Sequence, residues 1–420
     1  MIEIIKADDK NIYNEFILNH EYGDVLQLSN WGDVKDDLWT PKQYFFKNDE
    51  DTIGACQILY RKLPLGYKIA YIPRGPVIDY SNKDEVKKIF SLIEKLAKSE
   101  KCVRVTFDPR IERNGSEDIL KLFDELQYTH TGFFTDMREI QPRYNMIFDI
   151  SGCMDEIIKS FSKGMKAKFK KIDDLPISVE SITEEKWEDF YLVMKESAIR
   201  NGITIRSLDY FKKIYRCMGE FSNIFIAYLD VEKAIEHSKK TIELINKEIS
   251  NIKKSKELTT DENDLNNKNE IIASKENAIK NKEENIKIFM QSIEKGKVKI
   301  PISTSVEIYC NKYAYYLYAG STNDYREYMP VPCLIKNNIE AAKAKGAIKY
   351  DLGGVSGSTD CDDKYYGLYE FKKSFVKNPV EYIGEFEIPI SKIINSILNS
   401  AIKLRQSLIK YKNKKRAGNR

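Results

Sequence analysis

Tyr316-Leu317-Tyr318-Ala319-Gly320-Ser321, Ile348-Lys349-Tyr350-Asp351-Leu352-Gly353-Gly354 and Gly367-Leu368-Tyr369-Glu370-Phe371-Lys372-Lys373-Ser374-Phe375 follow one another within residues 315–375. The first run closes a β-hairpin with the strand read over residues 302–309. An amphipathic helix is predicted over 332–345, and the second run is the strand it delivers, over 347–352. The third run sets a lysine pair among aromatics. Hairpin, helix and strand in that order make an α/β unit, and the rest of the chain is read against it.

The same order occurs earlier. A helix around Glu15-Phe16-Ile17-Leu18 leads through a loop to Ser29-Asn30-Trp31-Gly32-Asp33-Val34-Lys35. A strand pair is predicted at about 52–60 and 67–73. A helix over 83–99 then carries Val86, Ile89, Phe90, Ile93, Leu96 and Ala97 on one face, and a strand over 102–109 closes the unit. In the later copy a helix over 185–198 leads to Arg206-Ser207-Leu208-Asp209-Tyr210-Phe211, and the first strand of the hairpin is 224–229. Even the helix ends rhyme, Leu96-Ala97-Lys98 beside Ala341-Ala342-Lys343. Residues 381–389 alternate as a further strand, and a helix is predicted over 391–411.

Between strands 224–229 and 302–309 lies the strongest periodic signal. Ile235, Ile242 and Ile249 are spaced by seven, as are Ile272, Ile279, Ile286 and Ile293 beyond a polar break at 259–264. The spacing predicts an antiparallel coiled-coil hairpin over 231–298, each arm ~35–40 Å long at the helical rise. Its charges balance, so it is not a basic clamp, and it stands in place of a hairpin turn.

The 420 residues suffice for two or three domains, and a hydrophobic content of 42% excludes wholesale disorder. The net charge of +4 is unevenly placed: residues 388–420 hold nine basic and no acidic side chains, which leaves the remainder mildly acidic. Such an end suits a polyanion, an anionic membrane surface or a solvated C-terminal helix. Cys56, Cys102, Cys153, Cys217, Cys310, Cys333 and Cys361 are scattered, and His20, His130 and His237 are isolated. Neither a disulfide framework nor a zinc site is expected. The N-terminus lacks signal-peptide character and no apolar run reaches spanning length, so a cytoplasmic or membrane-peripheral protein is expected. No phosphate-binding glycine loop and no metal-ligand spacing occurs, and neither cofactor nor metal is expected.

Taken with Tyr71-Ile72-Pro73-Arg74-Gly75-Pro76-Val77, the runs at 316–321 and 367–375 resemble the Fem family (FemA, FemB and FemX). That resemblance implies tandem GNAT-like acyltransferase domains of α/β (α+β) class. The first would comprise 1–150 with 376–420 and the second 151–375, with the arm at 231–298 inserted in the second. It implies transfer of Gly, Ala or Ser from aminoacyl-tRNA to the stem-peptide amine of a peptidoglycan precursor. The acceptor would be lipid II or a nucleotide-linked muropeptide, and the arm, as in FemA-type members, favours lipid II. The protein would act alone, as a homodimer or paired with a related Fem protein, with contact to the inner membrane face.

Residue by residue, Lys372 matches the family's catalytic lysine, with Phe371 beside it, and Asp108 a position suited to a general base or a turn. Lys35, with Trp31 one turn before it, and Arg206 with Tyr210 match phosphate-binding groups for the acceptor. Tyr316 and Tyr318, two apart and so expected on one strand face, include an acceptor-contacting tyrosine, and Arg74 lines the cleft. Lys163, Lys166, Lys168, Lys170 and Lys171 form either a tRNA contact or a solvated helix. A CoA-dependent N-acyltransferase is one alternative, although the glycine-rich pyrophosphate turn of such enzymes is missing. A catalytically inactive coiled-coil scaffold is another. One crevice uniting Lys35, Arg206 and Lys372 is the common expectation.

Overall fold

The computed structural model describes residues 1–400. Most of the helix predicted over 391–411, and every basic residue of the tail except Lys392, lie outside the described residues.

In chain order the first unit comprises β1 (Ile2–Lys6), α1 (Lys10–Asn19), α2 (Ser29–Lys35), β2 (Thr40–Asn48), β3 (Asp51–Lys62), β4 (Lys68–Ile72), β5 (Val77–Ile78), α3 (Lys83–Ser99), β6 (Cys102–Phe107), α4 (Glu117–Glu125) and β7 (Thr129–His130). Then come β8 (Tyr144–Asp149), α5 (Met154–Ser160), α6 (Lys163–Phe169), β9 (Ile177–Ser181), α7 (Trp187–Asn201), α8 (Leu208–Met218) and β10 (Ser222–Asp230). The arm is α9 (Val231–Lys256) and α10 (Glu262–Glu294), followed by β11 (Lys299–Cys310), β12 (Tyr313–Ser321), α11 (Pro330–Ala344), β13 (Lys349–Val355), α12 (Tyr366–Lys373), β14 (Val380–Glu381) and β15 (Phe386–Pro389).

Two sheets result, in the orders β1-β2-β3-β4-β6-β15-β7 and β14-β8-β13-β12-β11-β10-β9, with β5 beside β3. Among the described strands only β4–β6 and β12–β13 pair in parallel, and each pair is joined through one helix, α3 or α11. A parallel return requires such a crossover, whereas antiparallel neighbours do not. Hairpin, crossover helix and parallel strand thus occur twice, and the tandem GNAT-like α/β plan is present.

The core explains how the units join. Ile89, Phe90 and Ile93 of α3 pack with Phe107 on one face of the first sheet. The opposite face, through Phe45, Ala55 and Val77, shares a core with α2, α7 and α8 and with Ile226 and Val306 of the second sheet. A strand covered on both faces reads as a continuous buried run, and β3 is buried from Gly54 to Tyr60. Beneath the second sheet, Ile335 and Ile339 of α11 pack with Phe148 and Tyr350.

Three expectations change. β1 and β2 were not foreseen: β2 begins Thr-Pro and mixes polar with aromatic residues, hiding its alternation. β8 pairs with β13 and β14, so it belongs to the second sheet although residue 150 was the expected boundary. The strand expected over 381–389 is two: β14 pairs with β8, Gly384 turns at φ +88°, and β15 pairs with β6 and β7. Only glycine takes that φ without strain.

The arm springs from the β10–β11 hairpin, where Asp230 faces Lys299 and caps α9 by accepting from the Lys233 amide at 3.1 Å. Its helices have 26 and 33 residues, about 39 and 50 Å at 1.5 Å rise, so the second exceeds expectation. Val231, Ala234, Phe289 and Tyr328 bury its root against the second unit.

Candidate active site

Two clusters of sequence-identified residues form, on opposite sides of β12. The first lies where α2 meets α8. Trp31 and Lys35 are one helical turn apart, and Lys35 Nζ sits 4.3 Å from the Trp31 ring centroid and donates to Tyr210 Oη at 2.6 Å. Ser207 caps α8 by accepting from the Tyr210 amide, and the Arg206 guanidinium lies 5.3 Å from the Tyr210 ring. Burial, reinforced by Arg206 and Lys213, brings the Lys35 ammonium down to about 8. Lys213 is neutralised by Asp36 at 2.5 Å and Asp37 at 2.7 Å. Arg206 is exposed and has no carboxylate within ion-pair distance among the described residues. It opens on a pocket of about 620 Å³ that Tyr210 also lines. The pocket is lined by Arg206, Lys212, Lys213 and Arg216 against Asp37 and Asp209, a net basic surface suited to an anion, while Lys35 reaches Tyr210 without lining it.

Tyr318 belongs to this cluster, its ring 5.3 Å from Phe211. Tyr316 does not, contrary to the expectation of a shared strand face. Val306 faces Tyr318 and Glu307 faces Tyr316, so Leu317 is the extra residue of a β-bulge. A bulge resets the alternation, and Tyr316 packs near Tyr350 in the core beneath the second sheet.

The second cluster surrounds Lys372. α12 buries this residue to 8% exposure while Lys373 stays outside, so Lys372 is not a solvated surface charge. Its Nζ donates to Gly354 O at 2.8 Å, and burial lowers the ammonium to about 8 against the opposing pull of Asp351. Asp351 in turn accepts from Asn145 Nδ2 at 2.8 Å and from the Gly353 amide at 2.7 Å. Gly353 holds φ +82°, and a Cβ there would stand 3.5 Å from the Lys372 nitrogen. Gly353 and Gly354 line a cavity of about 170 Å³, and the ammonium lies behind that glycine wall without itself lining the cavity.

Both units wall that cavity, the first through Arg74 and Arg110, the second through Tyr316 and Asp351. Arg74 adopts φ +52°, and its amide donates to Asp108 Oδ1 at 3.0 Å while its Nη2 donates to Pro142 O at 2.7 Å. Asp108 is buried behind Arg74 and does not line the cavity; burial raises its carboxyl to about 7 against the pull of Arg74. Phe371 also stays out, packing 5.5 Å from Phe375. Sequence reasoning missed Arg110, Asn145, Asp351 and Tyr382 as cavity residues. Nothing in the sequence around Arg110 signals its place, since Asp108-Pro109-Arg110 after β6 reads as a turn.

The two pockets have no lining residue in common. Arg206 lines the larger pocket, Lys35 and Lys372 line neither, and so neither of these pockets unites the three. The two clusters are joined through β12, whose Tyr316 serves one and Tyr318 the other. The lysines from Lys163 to Lys171 are exposed or half-exposed on and after α6. Among the described residues, the group whose ligand atoms approach within 4.8 Å is Asp360, Cys361 and Asp362, all exposed on a loop. No described helix is long and apolar enough to cross a membrane.

The chain is 29% identical over 393 residues to lipid II:glycine glycyltransferase of Staphylococcus aureus strain USA300, covering 92% of this chain and 93% of that protein. The protein of the same name from strain COL matches to the same extent. A crystal structure of FemX superposes with a TM-score of 0.77 at 28% identity, over 94% of this chain and 99% of that one. A tandem GNAT protein from the clavulanic acid biosynthesis pathway gives 0.47 at 7% identity, over 93% and 99%. The FemAB family model matches residues 9–403, and the chain belongs to the FemAB family.

Proposed function

We propose that this chain is an aminoacyltransferase that moves glycine, alanine or serine from a charged tRNA to the stem-peptide amine of lipid II, building the interpeptide bridge of peptidoglycan. The observation that carries the reading is a buried ammonium, Lys372, beside a cavity between two GNAT-like units. It does so on a chain similar over nine-tenths of its length to a lipid II:glycine glycyltransferase. The acceptor amine attacks the ester carbonyl, a C–N bond forms, and the C–O bond to the tRNA ribose breaks. The amine's proton leaves with the ribose oxygen or to solvent. Negative charge develops on the carbonyl oxygen, and a desolvated cation stabilises it far better than one in water.

Lys372 supplies that cation. Lys35, Arg206 and Tyr210 hold the acceptor's pyrophosphate, with Trp31 supporting Lys35 and Tyr318 flanking the acceptor. Tyr316 walls the reacting cavity. Asp108 acts through Arg74, fixing its backbone and charge. The enzyme works at the cytoplasmic membrane face, where lipid II is met. The test supplies labelled aminoacyl-tRNAs with lipid II and, separately, with nucleotide-linked muropeptide. Labelled lipid II supports the reading; label only on the nucleotide-linked precursor changes the acceptor, and label on neither overturns it.

A further inference from the structure

The last described helix, over residues 392–400, presents its faces in reverse. It leaves β15 through Ile390 and Ser391, whose amides both donate to Val103 O at 3.0 Å, and this pins its start beside β6. Its contacts with the body are polar. Asn395 is buried and donates to Glu387 Oε1 at 2.6 Å, Glu387 pairs with Arg104 at 3.0 Å, and Arg104 Nη1 donates to Asn399 Oδ1 at 2.8 Å. Asn395 and Asn399 are one turn apart and so share a face. Ile393 and Ile397, also one turn apart, share another, and they are 77% and 63% exposed with Lys392 exposed beside them. A surface helix ordinarily turns its apolar stripe to the core and its polar one to water. Here asparagines grip the body and isoleucines face outward.

What covers that face follows from the charge around it. Residues 388–420 carry nine basic side chains and no acidic one. Eight of the nine lie beyond the described residues, where the sequence continues the spacing of Ile393 and Ile397 by fours and threes with Ala401, Leu404 and Leu408. Apolar residues at helical spacing among cations, without a carboxylate, suit the surface of an anionic bilayer: the isoleucines enter the acyl boundary and the cations meet the headgroups. A nucleic acid would meet the cations and leave both isoleucines in water. A second copy of this chain would set like charge against like. We propose that residues 392–400, with the basic sequence that follows them, dock on an anionic lipid surface through Ile393 and Ile397. This rests on the reading above for its purpose, holding the chain where a lipid-linked acceptor is met, and adds the residues that make the contact.

The test is co-sedimentation of the full chain with vesicles of phosphatidylglycerol and phosphatidylcholine, and with vesicles of phosphatidylcholine alone, all free of lipid II. Wild type is expected to bind the anionic vesicles about 100-fold tighter than the neutral ones, the value of three or so cations at the surface. That preference should shrink as salt is raised. The double variant Ile393→Gln, Ile397→Gln changes only exposed side chains and should melt as wild type does. It is expected to bind the anionic vesicles about 100-fold more weakly, about 10-fold for each isoleucine. Absence of wild-type binding to anionic vesicles overturns the proposal, as does equal binding to both kinds, and both outcomes stand whatever the variant does. Unchanged affinity in the folded double variant also overturns it, leaving charge alone as the contact. A dimer in solution that the double variant abolishes gives the face to a second copy and does the same. Expected vesicle binding without transfer to lipid II would sink the proposed function and spare this inference. Normal transfer with no vesicle binding would do the reverse.

Discussion

At the scale of the residue, burial sets the behaviour of the charged groups. Lys372 has its ammonium lowered from the usual 10.5 to about 8, so between those values the unfolded chain binds a proton that the folded chain has released. Stability from this group therefore rises with pH through that window, and below pH 8 the fold carries the full cost of the buried charge. Lys372→Met is expected to be more stable than wild type at pH 7 by about 1–3 kcal/mol, and the gain should vanish by about pH 10. Denaturant melts of both proteins across that range check it. Glu307 is the converse. Fully buried between Tyr309 and Tyr350, its carboxyl is raised by burial to about 8 and stays protonated at neutral pH. Glu307→Gln should match wild type within about 1 kcal/mol below pH 4.5 and gain on it as pH rises from 4.5 to about 8, where the unfolded carboxyl has ionised and the buried one has not, levelling off above pH 8. Lys372 was legible because its aromatic flanks place it in a motif. Arg110 was not: Asp-Pro-Arg after a strand reads as a turn, and nothing local shows that another unit will bury the guanidinium.

At the scale of the element, long periodic signals survived and short or interrupted ones did not. The isoleucine heptads gave the arm, and the apolar face of α3 gave the first crossover helix, because burial on one face imposes its period on the sequence. β12 defeated the same logic, since one extra residue at Leu317 separates two tyrosines that period two puts together. The arm itself divides into a buried root and a solvated tip. Phe289 is fully buried among Val231, Ala234 and Tyr328, and Phe289→Ala is expected to cost about 3–5 kcal/mol in denaturant melts. Replacing residues 250–274, beyond the buried Ile249 and the Glu248–Lys275 ion pair, by a short Gly-Ser turn removes none of that root. Such a shortened chain should melt within about 4 °C of wild type by circular dichroism. It should also keep transferase activity; loss of activity with an intact melt would assign the tip a role in binding substrate.

At the scale of the whole molecule, two copies of one plan meet through helices α2 and α8 and through β15, which returns to the first sheet after β14 has paired in the second. The duplication was readable from element order alone. The separation of the site into two pockets was not, because it depends on which face of β12 each tyrosine takes. That separation makes a claim about kinetics. On the proposed function, Arg206 and Lys35 would touch the acceptor away from the reacting atoms, whereas Lys372 would meet charge that exists only in the transition state. The measurement that tests this most directly is the rate of labelled glycine transfer from glycyl-tRNA to lipid II over a range of lipid II concentrations. It compares wild type with Arg206→Ala and Lys372→Ala. The account predicts that Arg206→Ala raises the KM for lipid II about 10- to 100-fold with kcat little changed. It predicts that Lys372→Ala lowers kcat about 100- to 1000-fold with KM little changed. Full activity in Lys372→Ala, or a fall in kcat with unaltered KM in Arg206→Ala, would contradict it.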